Sequence, residues 1–228
     1  MIKNLIDLFF PPVCSGCHAL LLSNEKVICT QCRHQLPQTN HHLLPENEAY
    51  KKFYGRIPLE HSSAFLYFHK KGIVQELIHN LKYRGQQEIG TQLGHWYAED
   101  LKNCAHLSNV DAIIPVPLHT KRWRKRGYNQ AELLALEIGK QLGLRVENNW
   151  LIRTKNTVPQ KLLNGQERRN NLKKAFIIGR NDVKLYDRII LVDDIYTTGS
   201  TIEACARALR ASGISRIYFV VICMTGGR

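Results

Sequence analysis

Asp193 and Asp194 stand side by side at the end of an apolar run, residues 189–192. Thr197, Thr198, Gly199, Ser200 and Thr201 follow after two intervening residues. This order suits recognition of a sugar phosphate. A helix start leaves backbone N–H groups without intrahelical partners and carries the positive end of the dipole, so a tight loop feeding a helix can receive a phosphate dianion. Gly199 lacks a Cβ and can take positive φ, which lets the backbone come close to a ligand. The four hydroxyls of the stretch add donors. The stretch has no lysine where a nucleoside-triphosphate loop of the form G-x-x-x-x-G-K-[ST] needs one, so the expected ligand carries a single monophosphate. Carboxylates just upstream suit the vicinal hydroxyls of a ribose and place negative charge beside a developing cation. The plainer alternative is a buried strand with a Thr/Gly helix cap, for which two adjacent acids are unusual.

Cys14, Cys17, Cys29 and Cys32 form two C-x-x-C knuckles separated by eleven residues. Each knuckle offers two thiolates within one turn, and together they close a tetrahedral shell for a structural zinc ion. Two disulfides or a redox C-x-x-C are the alternatives. A redox site has no need of the second knuckle, and the chain carries no secretory pattern. His18 and His34 lie beside the cysteines and read as bystanders, with a shell of three cysteines and one histidine as the variant. The segment has too few apolar residues for a core of its own, so metal binding would supply its folding energy.

The elements that must position these groups follow from periodicity. With 228 residues, 44% of them hydrophobic and 22% charged, the chain suits one α/β body plus a small appendage. No apolar run reaches the roughly 20 residues of a membrane span. Residues 1–10 do not read as a signal peptide, because Lys3 and Asp7 break the apolar stretch. Ile2, Leu5, Ile6 and Phe9 have helical spacing, so a short amphipathic helix docked on the protein's own body is expected. The division expected is 1–36 for the amphipathic segment and zinc module, 37–60 for a polar, proline-bearing linker, and 61–228 for the body. Within the body the pattern predicts strands near 61–69, 111–118, 149–153, 175–178, 189–195 and 217–223. Helices are predicted near 73–81, 86–103, 128–142 and 202–212. The alternation implies a parallel sheet with helices on both faces and a ligand site beyond the C-terminal strand ends.

The net charge of +13 implies polyanionic partners. Lys121, Arg122, Arg124, Lys125 and Arg126 fill five of six positions around Trp123, and residues 145–188 hold eleven Lys/Arg against four Asp/Glu. The bland reading is a solvated face; the aromatic within the first cluster tilts it toward single-stranded nucleic acid.

The run from Val192 to Thr201 resembles the signature for 5-phosphoribosyl 1-pyrophosphate (PRPP) of the type I phosphoribosyltransferases. Only Tyr196 departs, standing where that group carries a small aliphatic residue. The stretch holding Arg153, Thr157, Gln160 and Arg168 is similar to the catalytic hood of amidotransferase-type members. The knuckles, Lys82-Tyr83-Arg84-Gly85, residues 114–119, residues 124–130 and the PRPP run come in this order, and as a set they resemble the competence protein F family. The resemblance implies a type I phosphoribosyltransferase fold, a twisted and mainly parallel sheet behind a zinc module. It implies PRPP on residues 197–201 and the acid pair, with pyrophosphate toward Lys82, Arg84 and the loop bearing Pro117 and Leu118. It implies Asp193, Asp194, Arg153 and Gln160 as the catalytic set, with Mg2+ brought in by PRPP, and transfer to an unnamed acceptor. It also implies a role in natural transformation, in the cytoplasm or peripherally at the inner membrane, beside single-stranded DNA and helicase-like or other DNA-uptake proteins. The competing reading is a non-catalytic module that senses PRPP or grips DNA.

Overall fold

The central strand of the sheet is β6 (Arg188–Tyr196), whose residues 189–192 are all fully buried. A strand covered on both faces belongs in a parallel sheet between helical layers. In the computed structural model, which describes residues 10–154, 175–179 and 186–226, β6 pairs in parallel with β7 (Arg216–Thr225) on one side and β2 (Ala112–Pro115) on the other. The outer strands are β1 (His61–Phe68) beside β7 and β3 (Arg145–Val146) beside β2. The order is therefore β1-β7-β6-β2-β3, parallel throughout.

One face packs on three helices. Val74, Leu77, Ile78 and Leu81 of α3 (Ile73–Tyr83), Ile89 and Leu93 of α4 (Glu88–Lys102), and Leu134 and Ile138 of α6 (Gln130–Leu142) meet Ile190 and Val192 there. Two shorter helices precede these in the chain, α1 (Thr30–His34) and α2 (Glu48–Lys51). The other face of the sheet, with Ile189 and Leu191, packs on Ile202, Cys205 and Leu209 of α7 (Ser200–Ala211) and on Ala49 and Phe53.

Strand alternation breaks at one level of the sheet. Before it, Ile190, Val192 and Tyr218, Val220 point to the α3 layer; beyond it, Ile195 and Cys223 point there too, and Tyr196 and Met224 point to the α7 layer. The register runs to Asp193↔Val221 and resumes at Ile195↔Cys223, so both central strands skip together. The skip sits at the acid pair.

The structure differs from the sequence expectations in two places and adds detail in two more. Two expected strands, β4 (Leu151–Arg153) and β5 (Phe176–Ile178), are not in the main sheet; they pair antiparallel with each other and bury Leu151 and Phe176 with the α7 layer. The polar stretch 37–60 packs instead of spanning. Its backbone bonds to β1 through Thr39 N–H to Phe65 O (3.0 Å) and Tyr67 N–H to Pro37 O (2.8 Å). Asn47 donates to the carbonyls of His41, Leu44 and Ser62, while Phe53, Ile57 and Leu59 are buried. Ala49, Phe53 and Ile57 stand four residues apart, a short helical pattern outweighed in sequence by the polar residues and prolines around it. The zinc segment has no core of its own, as expected, and Cys14, Ile28, Cys29 and Cys32 join the cluster beneath α3. Finally, the basic run is a helix, α5 (Thr120–Arg126), capped by the His119 ring at its start and by Gly127 at φ 82° at its end. The expected N-terminal amphipathic helix and Thr157, Gln160 and Arg168 of the hood lie outside the described residues.

Candidate functional site

Ordinary strand alternation turns the two carboxylates to opposite faces of the sheet, and the skip follows Asp194, so that Ile195 shares its face. Asp194, 8% exposed, receives both of its bonds from Lys82 Nζ, at 2.9 Å to Oδ1 and 2.9 Å to Oδ2. Lys82 lies in the last turn of α3, where the helix dipole favours a cation. Asp193 accepts the backbone N–H of Asp194 at 2.8 Å. Arg153, at the end of β4, brings its charge to the same carboxylate and lies over the ring of Phe176, 5.3 Å from its centroid. Burial, with the Asp194 charge added, pushes Asp193 up to about 7, against the pull of the Asp194 N–H, Lys82 and Arg153.

A raised carboxylate has two consequences. Unfolded, Asp193 titrates near its ordinary value of 3.8. The stabilisation from its proton is therefore complete below about pH 4 and is lost as pH rises through 7. Asp193→Asn should raise the melting temperature relative to wild type at pH 8, by about 2–6 °C, and change it little at pH 4, as read by scanning calorimetry. Ligand hydroxyls need the ionised form as acceptor. Affinity for a ribose ligand should thus rise about tenfold between pH 6 and pH 8 through this group. The same titration on Asp193→Asn separates that rise from ionisation of the ligand's own phosphates.

Directly after the acid pair the chain turns into α7. Gly199 is its N-cap, at φ 76°, and supplies no side-chain bond to the first turn, which leaves those N–H groups for a ligand. Thr197 and Thr198 are exposed, and Thr198 Oγ1 lies 3.1 Å from Ser200 Oγ. Glycine is required twice over. Besides the positive φ, a Cβ here would sit 2.8 Å from Tyr196 Cε2 and 3.0 Å from Phe53 Cε1. Tyr196, the departure from the signature, is buried against Phe53 and Phe219 and so turns away from the loop's outer side. Gly199→Ala should cost about 1–3 kcal/mol in stability from the strained φ and ring contact and move the loop off its ligand, both measurable by urea titration and PRPP calorimetry.

The neighbouring loop leaves β2 beside β6, fixed by Val116 N–H to Val192 O at 2.8 Å and by Asn129 Nδ2 donating to Val116 O at 3.0 Å. It carries Pro117 and Leu118 to His119. Burial lowers the basicity of His119, with Arg153, Lys121 and Arg122 lowering it further, and Arg122 likewise acts on Arg153. Cations from α3, α5 and β4 thus converge around the strand ends. Lys82 and Arg84, both expected at a pyrophosphate, are held otherwise in the free protein: Lys82 on Asp194, and the half-exposed Arg84 3.6 Å from Glu76. On α5 no residue is buried and Trp123 is 52% exposed, so Arg122, Trp123, Arg124 and Lys125 face solvent. Arg126 is partly tethered, donating to Gln130 at 2.8 Å and lying 5.2 Å from the Tyr83 ring centroid.

The four knuckle cysteines come together with all ligand atoms within 4.8 Å of one another, and they can hold a metal ion. Donors are already aimed at the sulfurs: Gly16 N–H at 3.4 Å and Cys29 N–H at 3.2 Å to Cys14 Sγ, and Cys32 N–H at 3.4 Å to Cys29 Sγ. Burial alone would push the Cys14 thiol up, but the N–H groups of Cys29, Cys17 and Gly16 bring it down to about 7. Four thiolates with backbone N–H support fit structural zinc. His18 is outside the shell, its Nε2 3.5 Å from Glu76.

A five-stranded parallel sheet flanked by helices on both faces, behind a four-cysteine cluster, is of the α/β class. No family model matches the chain. Competence protein F of Haemophilus influenzae is 33% identical across 92% of this chain and 95% of its own length. The DNA utilization protein YhgH of Escherichia coli is 30% identical, covering 93% of this chain and 90% of its own. Competence protein ComFC of Bacillus subtilis is 26% identical over 88% and 79%. The chain belongs to the competence protein F family.

The sequence places His119 in the loop after β2 but does not show it as the α5 cap, and it gives neither Phe53 behind Gly199 nor Asn80 of α3. Asn80 alone carried a signal, a polar residue on the apolar stripe of α3.

Proposed function

We propose that this chain binds PRPP with Mg2+ at the C-terminal edge of β2 and β6, and that it serves the handling of incoming DNA in natural transformation. One observation carries the ligand assignment: two adjacent carboxylates, Asp194 bonded by Lys82 and Asp193 accepting the Asp194 N–H, precede a glycine-capped helix start. The names of the relatives, which speak of competence and DNA utilization, support the process. In this reading the 5-phosphate lies on Thr197, Thr198, Gly199, Ser200 and Thr201. Asp193 and Asp194 accept from the ribose 2- and 3-hydroxyls, and pyrophosphate faces the loop of Pro117 and Leu118.

The reaction proposed is pentosyl transfer. The bond from ribose C1 to the pyrophosphate oxygen breaks with its electron pair leaving on pyrophosphate. C1 passes through an oxocarbenium ion and bonds to the acceptor nucleophile, whose proton is lost to solvent. Mg2+, bound through ligand oxygens, would offset the leaving group's charge. The protein contributes position and electrostatics: the acid pair beside the cationic ring, and Lys82, Arg84 and Arg153 near the departing anion. Gln160 is assigned with Arg153 to the hood, which would exclude water. Purified protein given Mg-PRPP and a panel of bases tests this. Steady pyrophosphate release with one acceptor establishes transfer, whereas saturable binding without release makes the protein a sensor.

The exposed basic helix α5 favours the second reading, in which single-stranded DNA is gripped by Arg122, Trp123, Arg124, Lys125 and Arg126. No described helix is long and apolar enough to cross a membrane. Placement in the cytoplasm or at the inner face of the membrane, beside a helicase-like partner, belongs to the same proposal, and pull-down with and without the zinc module tests the partner.

A further inference from the structure

α3 touches both the metal-binding knuckle and the acid pair. At its start Ile73 packs on Gly16, where a Cβ would sit 3.0 Å from Ile73 Cγ2 and 3.3 Å from Cys32 Sγ, so only glycine lets the helix approach. Glu76, a turn further on, faces His18 of the knuckle at 3.5 Å. Near the end, Asn80 donates its Nδ2 to Ser15 O at 2.9 Å; Ser15 lies between Cys14 and Gly16, whose N–H bonds Cys14 Sγ. Lys82, two residues beyond, is the cation on Asp194.

Asn80 is fully buried, and its Oδ1 finds no partner among the described residues. A core amide with half its bonding unmet costs free energy that a leucine at the same place would recover. Its one bond goes to the turn that carries a metal ligand. That expense on the apolar stripe of a helix is explained if the bond fixes where the end of the helix lies.

We infer that Asn80 is a positioning residue that locks Lys82 onto Asp194 by tying the last turn of α3 to the four-cysteine knuckle, so that metal binding and ligand binding are energetically linked. This rests on the PRPP reading of the acid pair. The distance from Ile73 to Lys82 along the helix is about 14 Å, and the helix passes on, as a rigid element, any shift of the knuckle to the Nζ that sets the charge on the pair.

The test is a double-mutant cycle on zinc-loaded protein, with Mg-PRPP titrated calorimetrically into wild type, Asn80→Ala, Lys82→Met and the combined variant. Asn80→Ala is expected to weaken PRPP about tenfold, and the combined variant to bind no more weakly than Lys82→Met alone. In wild type, chelator competition should show zinc held about tenfold more tightly when PRPP is saturating, since linkage is reciprocal. A merely structural asparagine would lower the melting temperature and leave that linkage intact. Unchanged PRPP affinity in Asn80→Ala, or a loss that adds in full to that of Lys82→Met, overturns the inference. Should Asn80→Ala fail to fold, equal zinc affinity with and without PRPP in wild type overturns it. A wild type that binds no PRPP refutes the reading of the site itself, and the inference falls with it.

Discussion

Titrating Mg-PRPP into the Asp193→Asn, Asp194→Asn double variant should give at least a hundredfold weaker binding than wild type, while binding of a single-stranded oligonucleotide stays within about twofold. Each carboxylate is assigned a charge-assisted bond from a ribose hydroxyl, about 1.5–3 kcal/mol apiece, and two such losses exceed two decades in affinity. Asn is nearly isosteric with Asp, so the backbone N–H of residue 194 keeps an acceptor at position 193. The variant also strips Lys82 of its partner at a largely buried site, which costs stability. Removal of the raised Asp193 carboxylate works in the opposite direction at neutral pH. A thermal melt beside the titration shows that the loss is of binding and not of fold. Equal collapse of oligonucleotide binding would mean that α5 and the acid pair form one site, contrary to the division proposed.

Cys32→Ser is expected to have the largest effect on stability. Cys32 is 2% exposed, shares its core with Leu77 and Leu81, and closes the four-sulfur cluster. A hydroxyl cannot replace a thiolate on zinc, and structural zinc contributes folding energy outright. A loss of about 4–6 kcal/mol would lower the melting temperature by roughly 10–20 °C. Metal content by elemental analysis should fall from one zinc per chain to well below that. Because the knuckle is part of the core beneath α3, the transition should fall as a whole, with no independent low-temperature step for residues 10–36. Wild-type metal content and melting temperature in Cys32→Ser would show that the cysteines do not hold a structural ion.

The central strand, the helix start after Gly199, the cysteine cluster and the parallel class of sheet were legible in the sequence because each is local. Four apolar residues, two acids and a hydroxyl loop occupy one short run, and C-x-x-C fixes two sulfurs in one turn. What was not legible depends on distant partners. Nothing around Lys82 names Asp194, 112 residues away, as its partner. Period-two alternation does send Asp193 and Asp194 to opposite faces, but the matching skip in β7 that lets Ile195 and Tyr196 follow on is set by the sheet. Residues 37–60 read as connecting chain because polar residues and Pro37, Pro45 and Pro58 dominate them, although Ala49, Phe53 and Ile57 stand four residues apart. Their burial is decided by α7 and β1. The strands around Leu151 and Phe176 looked like the others, since a three-residue apolar run says nothing about which sheet takes it. The basic run around Trp123 shows in sequence only as charge; its helix depends on the caps at His119 and Gly127.

The most direct measurement is a crystal structure of the protein grown with Mg-PRPP. The account predicts the 5-phosphate within hydrogen-bonding distance of the backbone N–H groups at the start of α7 and the ribose hydroxyls on Asp193 and Asp194. Density for the compound elsewhere, with those N–H groups and both carboxylates bonded only to water or protein, would contradict it.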